Sequence, residues 1–183
     1  MNRKVDFESV IEPQEVGLDP NLVNRSSPSG NEFLANVLMD LKITKEDTII
    51  DIGCGLGSAM SIMLRFSFKK IAGIEISECI AKRAENNFRI LRDNRCIIYN
   101  QNAITFPNYS EYNYFYMYNP FPCQIVTGVM HKINQQKGLK KERFIIYNNP
   151  RCHQIICDNG WDKIKEFPNS WIPMTFIYKE KEK

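Results

Sequence analysis

Thr48-Ile49-Ile50-Asp51-Ile52-Gly53-Cys54-Gly55-Leu56-Gly57 is the stretch on which the reading of this chain turns. A short β-branched apolar run predicts a buried strand, and the glycines at 53, 55 and 57 break it into a loop. Apolar residues then recur at helical spacing from Ser58 to Phe66. Strand, glycine loop and helix in that order form the unit at whose carboxyl edge open α/β sheets bind ligands. Glycines there let the backbone turn tightly and approach a ligand with no side chain in the way.

Downstream the same order repeats. Ile71-Ala72-Gly73-Ile74-Glu75 reads as a second strand, followed by a helix from Glu78 to Leu91 whose Ile80, Ala84, Phe88 and Leu91 share one face. Cys96 to Tyr99, Tyr114 to Tyr118 and Phe144 to Tyr147 read as three more buried strands, the last two each followed by a helix. Strands alternating with helices predict a parallel sheet covered on both faces. Trp161 to Phe167 and Trp171 to Tyr178, separated only by Pro168-Asn169-Ser170, read as a hairpin that adds an antiparallel edge. The expected fold class is therefore α/β: a doubly wound, mostly parallel seven-stranded sheet with helices on both faces and a C-terminal antiparallel hairpin.

Upstream, Ser29 and Glu32 form an S-x-x-E capping box, and Phe33, Leu34, Val37, Leu38 and Leu41 predict a helix to about Leu41. Residues 1–28, with Pro13, Gly17, Pro20 and Pro28, show little periodicity and read as an irregular arm. That leaves 29–179 as a single domain and 180–183 as a charged, solvated tail.

Composition supports one ordinary globular core: 183 residues, 43% hydrophobic and 25% charged. Lys and Arg number 24 against 21 Asp and Glu, too even a balance for the dense basic stripe of a nucleic-acid binder. The cysteines at 54, 79, 96, 123, 152 and 157 show no C-x-x-C pair, so neither a zinc site, any other metal site nor a disulfide framework is expected, and a reducing cytoplasm is the simplest setting. The N-terminus turns acidic where a signal peptide needs its apolar run, and no stretch of about 18 apolar residues occurs, so neither export nor membrane spanning is expected.

Glu75 closes the second strand 18 residues after Gly57, where a carboxylate can accept hydrogen bonds from both hydroxyls of a ribose. Loop and carboxylate together point to an adenosine-containing ligand. Charge separates the candidates. A nicotinamide dinucleotide would set an anionic pyrophosphate over a loop that Asp51 enters, whereas S-adenosylmethionine presents a sulfonium and an ammonium that Asp51 would favour.

On these residues the chain resembles the class I S-adenosylmethionine-dependent methyltransferases, over about 29 to 179. The matching positions are Asp51 to Gly57, Glu75, Asn102-Ala103 after the third strand and Tyr118-Asn119-Pro120-Phe121 after the fourth. The resemblance implies that Gly53, Cys54, Gly55 and Gly57 cradle the methionine part of the cofactor, that Asp51 serves its ammonium, that Glu75 holds the ribose and that Asn102 and Ala103 border the adenine. Asn119-Pro120-Phe121 is similar to the Asn-Pro-Pro-aromatic motif of amino-methylating enzymes, with the second proline displaced to Pro122. That likeness implies acceptor contacts from Tyr118, Pro120 and Phe121, and a catalytic role for Asn119 in receiving the target N–H groups. The acceptor itself stays unidentified, an N or O nucleophile.

Methyl transfer is an in-line displacement, so positioning supplies much of the acceleration, and a base is needed only if the acceptor loses a proton as it attacks. His153, just past the fifth strand, is the candidate base, with a surface or helix-capping role as the competing reading; His131, well along a helix, is a weaker candidate. The basic run Lys132, Lys137, Lys140, Lys141 and Arg143 fits a solvated loop, the aromatic run from Tyr112 to Tyr118 a core strand, and Trp161 and Trp171 packing on each other's strands. The competing functions are a non-catalytic S-adenosylmethionine-binding or interaction module and a nicotinamide-dependent oxidoreductase.

Overall fold

The computed structural model describes residues 4–138, 141–168 and 174–182. In chain order they form α1 (Glu32–Asp40), β1 (Thr48–Ile52), α2 (Ser58–Met63), β2 (Lys70–Glu75), α3 (Glu78–Leu91), β3 (Cys96–Asn100), β4 (Tyr114–Tyr118), α4 (Cys123–Gln135), β5 (Phe144–Asn148), α5 (His153–Asp158), β6 (Trp161–Phe167) and β7 (Thr175–Glu180). The strands lie in the order β3-β2-β1-β4-β5-β7-β6. All pairs are parallel except β5 with β7 and β7 with β6, which is the doubly wound sheet with an antiparallel edge.

Strand alternation divides the core in two. Ile50, Ile52, Phe115, Met117 and Ile145 face α4 and α5, where Val126, Val129, Met130 and Ile156 cover them. Ile49, Ile71, Tyr116 and Ile146 face the opposite way, under Leu34, Val37 and Leu38 of α1, Met60 and Met63 of α2, and Phe88 of α3. Asp51 shares this second face by alternation and is carried into the interior with it. The sheet reverses order between β1 and β4, so the loops after these strands flank one crevice.

Several expectations are corrected. The first helix is capped by Asn31, whose side chain accepts from the Leu34 amide, and not by Ser29. Gly30 explains the delay: a Cβ there would sit 2.0 Å from the Ser58 carbonyl oxygen, so residues 29–30 are committed to packing against α2 before the helix can start. β3 is a half-exposed edge strand, with Ile97 39% exposed, rather than a buried one. β7 continues through Glu180, because that carboxylate pairs with Arg143, buried at 4% exposure, at 2.6 Å, and with Lys137 at 2.8 Å. Those pairs, with Lys141 beside Asp47, account for most of the basic run; Lys140 lies outside the described residues. Trp161 is fully buried edge-on to Phe115 and donates its indole N–H to Asn134 Oδ1 at 3.1 Å. Trp171 and residues 169–170 of the turn lie outside the described residues.

The cysteine reading is overturned. Cys123 and Cys152 form a disulfide across a sequence separation of 29, leaving Cys54, Cys79, Cys96 and Cys157 free. No spacing motif announces it because the parallel register of β4 on β5, ending at Tyr118 opposite Asn148, is what starts α4 and α5 side by side. The arm is ordered against the body as well. Ile11 and Ser26 form an antiparallel bridge, and Asp6 binds Asn87 and Arg83 of α3. No helix among the described residues is long and apolar enough to cross a membrane.

Candidate functional site

Between the loops that follow β1, β2, β3 and β4 lies a cavity of about 150 Å³, roofed by the N-terminal arm. The β1 loop is built from glycines for separate reasons. Gly53 (φ 82°) lets the β4 loop close in, since a Cβ there would lie 2.6 Å from Pro120. Gly57 (φ 86°) is the N-cap of α2, and a Cβ there would meet the Phe88 ring at 2.5 Å. Both sit in the left-handed region, where a side chain costs roughly 1–2 kcal/mol.

Glu75 locks this loop to β2. One carboxylate oxygen accepts from the Gly55 amide at 3.1 Å and the other from the Ser77 amide at 2.8 Å. Burial nevertheless holds its carboxyl above the ordinary range, with those amide bonds pulling back the other way. Asp51, 2% exposed, lies below the loop and is held well above the usual carboxylate range, by burial first and by the Glu75 charge second. Neither carboxylate forms a salt bridge to a Lys or Arg among the described residues. The Tyr116 hydroxyl and Asn148 Oδ1, buried on the neighbouring strands β4 and β5, have no hydrogen bond of good geometry among the described residues, and the polar groups nearest Tyr116 are Ser29 and Asn148 itself. Two buried acids with no salt-bridge partner among the described residues favour a cationic donor, because an uncompensated buried charge is costly until it is paired. The residues therefore fit a ligand that brings an ammonium, a sulfonium and a ribose.

The predicted site residues separate into two groups. Gly53, Cys54, Gly55, Glu75, Asn102 and Ala103 line the cavity, as do Tyr118, Pro120 and Phe121 of the β4 loop. Asp51, Gly57, Asn119 and His153 are not part of its lining. Asp51 and Gly57 act from behind the loop. Asn102 turns its side chain back to accept from the Ile104 amide at 2.9 Å, shaping the β3 loop rather than reaching across the cavity. His153 is placed away from the cavity: its Nδ1 is 2.9 Å from the Tyr178 hydroxyl and its ring stands edge-on to Phe176 at 5.2 Å. As the first residue of α5 it is turned toward β7 by packing on that strand, so no geometric support remains for it as a base. As site residues, Ile76, Ile80 and Gln101, which line the cavity, were passed over in the sequence. Of the arm, Arg25 and Ser26 to Ser29 are where the sequence leaves room for an acceptor, and Arg25, Ser26, Ser27 and Ser29 do line the cavity, whereas Asn24, for which neither periodicity nor motif gives a signal, was passed over.

The family model described as "Histone methylation protein DOT1" matches residues 29–115, the segment from the start of the domain through β1, β2 and β3 to the opening of β4. A solved putative methyltransferase from Escherichia coli superposes with a TM-score of 0.66 at 14% identity, covering 96% of this chain and 100% of that one. The fold is that of the class I S-adenosylmethionine-dependent methyltransferases. Magnesium protoporphyrin IX methyltransferase from Synechocystis, solved with bound S-adenosylmethionine, shares this methyltransferase fold with a TM-score of 0.61 at 14% identity, over 82% of this chain and 77% of that one. In sequence, the ribosomal protein L11 methyltransferase of Ruminiclostridium cellulolyticum is 23% identical over 93% of this chain. The chain spans 56% of the length of that curated relative.

Proposed function

We propose that this chain is an S-adenosylmethionine-dependent methyltransferase acting on a nucleophilic acceptor still to be identified. The observation that carries the reading is the buried pair of acids at the glycine loop, Asp51 and Glu75, with no salt-bridge partner among the described residues and with Glu75 lining the cavity. The bound cofactor supplies a methyl group activated on a sulfonium. What this chain supplies is placement. Gly53 and Gly55 on either side of Cys54 offer backbone for the amino-acid portion, Asp51 a countercharge for its ammonium, and Glu75 acceptors for the ribose hydroxyls. Ile76, Ile80, Ala103 and Ile104 form an apolar slot suited to an adenine ring. Tyr118, Pro120 and Phe121 border the acceptor side, and Asn119 between them, although outside the lining itself, is the residue proposed to receive target N–H groups. With His153 engaged by Tyr178, the arrangement favours an acceptor that attacks through a lone pair already free.

A cytoplasmic setting is part of the same proposal. Four free cysteines match the usage of a reducing compartment, in which Cys123–Cys152 would be the exception. Parallel calorimetric titrations with S-adenosylmethionine, S-adenosylhomocysteine and NADH test the reading. Saturable binding of the first two and none of NADH is expected; binding of NADH alone, or of none, would overturn it.

A further inference from the structure

We propose that Asn24 of the N-terminal arm fills the acceptor end of the site with its own carboxamide, as an internal stand-in for an N–H-bearing group, so that the arm must release before an acceptor enters. The proposal rests on the methyltransferase reading above. The Asn24 Nδ2 group donates to the Asn119 carbonyl at 2.6 Å, and the Asn24 backbone N–H donates to the Pro120 carbonyl at 3.0 Å. These two carbonyls lie just past the last ladder pair of β4 with β5, Tyr118 with Asn148, and so have no strand partner. Asn119 is left-handed (φ 41°), which ends the strand there and presents two successive carbonyls on the loop whose Tyr118, Pro120 and Phe121 line the cavity. Carbonyl oxygens only accept, so whatever occupies them must bring donors. Asn24 brings one from its side chain and one from its backbone.

The same short segment covers the cofactor end. Ser26 Oγ stands 2.3 Å from where a Gly55 Cβ would be, directly over the glycine loop. The attachment is uneven along the arm. Asp6 is held by Asn87 and Arg83, and Phe7 packs on Phe88, so the arm's start is pinned to α3. Beyond Ile11 the chain is held again at Pro13, which is buried, and Val16, which packs with Ile11, Leu56 and Ile80; from Gly17 to Arg25 it is largely exposed, with Val23 resting on the core and Asn24 hydrogen-bonded to the β4 loop. Residues 17–25 can therefore lift while 6–16 stay in place, which makes the Asn24 contact a latch.

The test uses the full chain saturated with S-adenosylhomocysteine and the isosteric variant Asn24→Asp, which removes the donor and sets a carboxylate against the carbonyls; Asn24→Ala serves as the second variant. Hydrogen exchange at the Asn24 amide should rise about tenfold or more, the equivalent of one lost hydrogen bond, while the Ser26 amide, held by the Ile11 carbonyl, and the β1 amides stay protected and S-adenosylhomocysteine affinity holds. In the wild type, millimolar isobutyramide should displace the Asn24 side-chain amide resonance and methyl isobutyrate, which has no N–H, should not. Unchanged arm exchange in both variants, equal displacement by the ester, or loss of S-adenosylhomocysteine binding together with arm release would overturn the proposal, the last by making the arm a roof for the cofactor alone. A wild type that binds no S-adenosylhomocysteine would instead refute the methyltransferase reading, and exchange in the ligand-free protein would still decide the latch.

Discussion

Reducing the Cys123–Cys152 disulfide should cost this protein a large and calculable part of its stability. Reduction leaves every side chain in place and returns to the unfolded chain the freedom of the loop that the bond had closed. A sequence separation of 29, put into ΔS of about −2.1 − 1.5R ln n, gives about −12 cal/mol/K, or about 3.6 kcal/mol near room temperature. With a urea m-value of roughly 2–3 kcal/mol/M for a domain of this size, the midpoint should fall by about 1–2 M. The assay is urea unfolding of one preparation with and without dithiothreitol, with alkylation and mass measurement proving that the pair is oxidised in one arm and reduced in the other. Cys123 is exposed, so Cys123→Ala should match the reduced protein with little packing loss of its own. Coincident midpoints with proven reduction would refute the loop-closure reasoning, and a chain purified without reductant in which no disulfide forms would refute the pairing.

Four further outcomes follow from the site. Burial and the Glu75 charge raise the Asp51 carboxyl in the ligand-free fold, so its stabilising contribution is present below the ordinary value of 3.8 and is lost as pH rises through the raised one. A cationic ligand reverses the preference, so S-adenosylmethionine affinity should climb with pH over that window; Asp51→Asn should flatten the calorimetric profile, weaken binding and raise ligand-free stability at neutral pH. Glu75→Ala should weaken S-adenosylhomocysteine binding by about 1–3 kcal/mol and lower the melting temperature, because the Gly55 and Ser77 amides lose their acceptor. Gly57→Ala, with its Cβ 2.5 Å from the Phe88 ring, should destabilise by about 2–4 kcal/mol in urea titration. His153→Ala should lose about 1 kcal/mol of stability with its Tyr178 bond and leave methyl transfer unchanged once an acceptor is found; a tenfold fall in turnover would return His153 to the reaction.

Local pattern was enough to read the sheet. The run Thr48 to Ile52, the glycines after it and the apolar face of Ile80, Ala84 and Phe88 each declare an element within a few residues, because side-chain periodicity and backbone freedom are properties of neighbours in sequence. The pairing of Asp51 with Glu75 was legible for the same reason: both sit at strand ends in one repeating unit. Asn31 took the cap from Ser29 because of a contact with Ser58, 28 residues away from Gly30 and invisible to any local motif. His153 stood at the right edge of the sheet and turned toward Tyr178, a choice of side-chain direction made by packing on a strand that follows it by 25 residues. The disulfide and the Asn24 latch both depend on which loops meet. Sequence alone determined the succession of strands and helices, the glycine loop and the two acids, since these follow from local propensity and spacing. Tertiary structure decided which groups share the crevice, because the parallel register and the path of the arm bring together residues that no spacing along the chain connects.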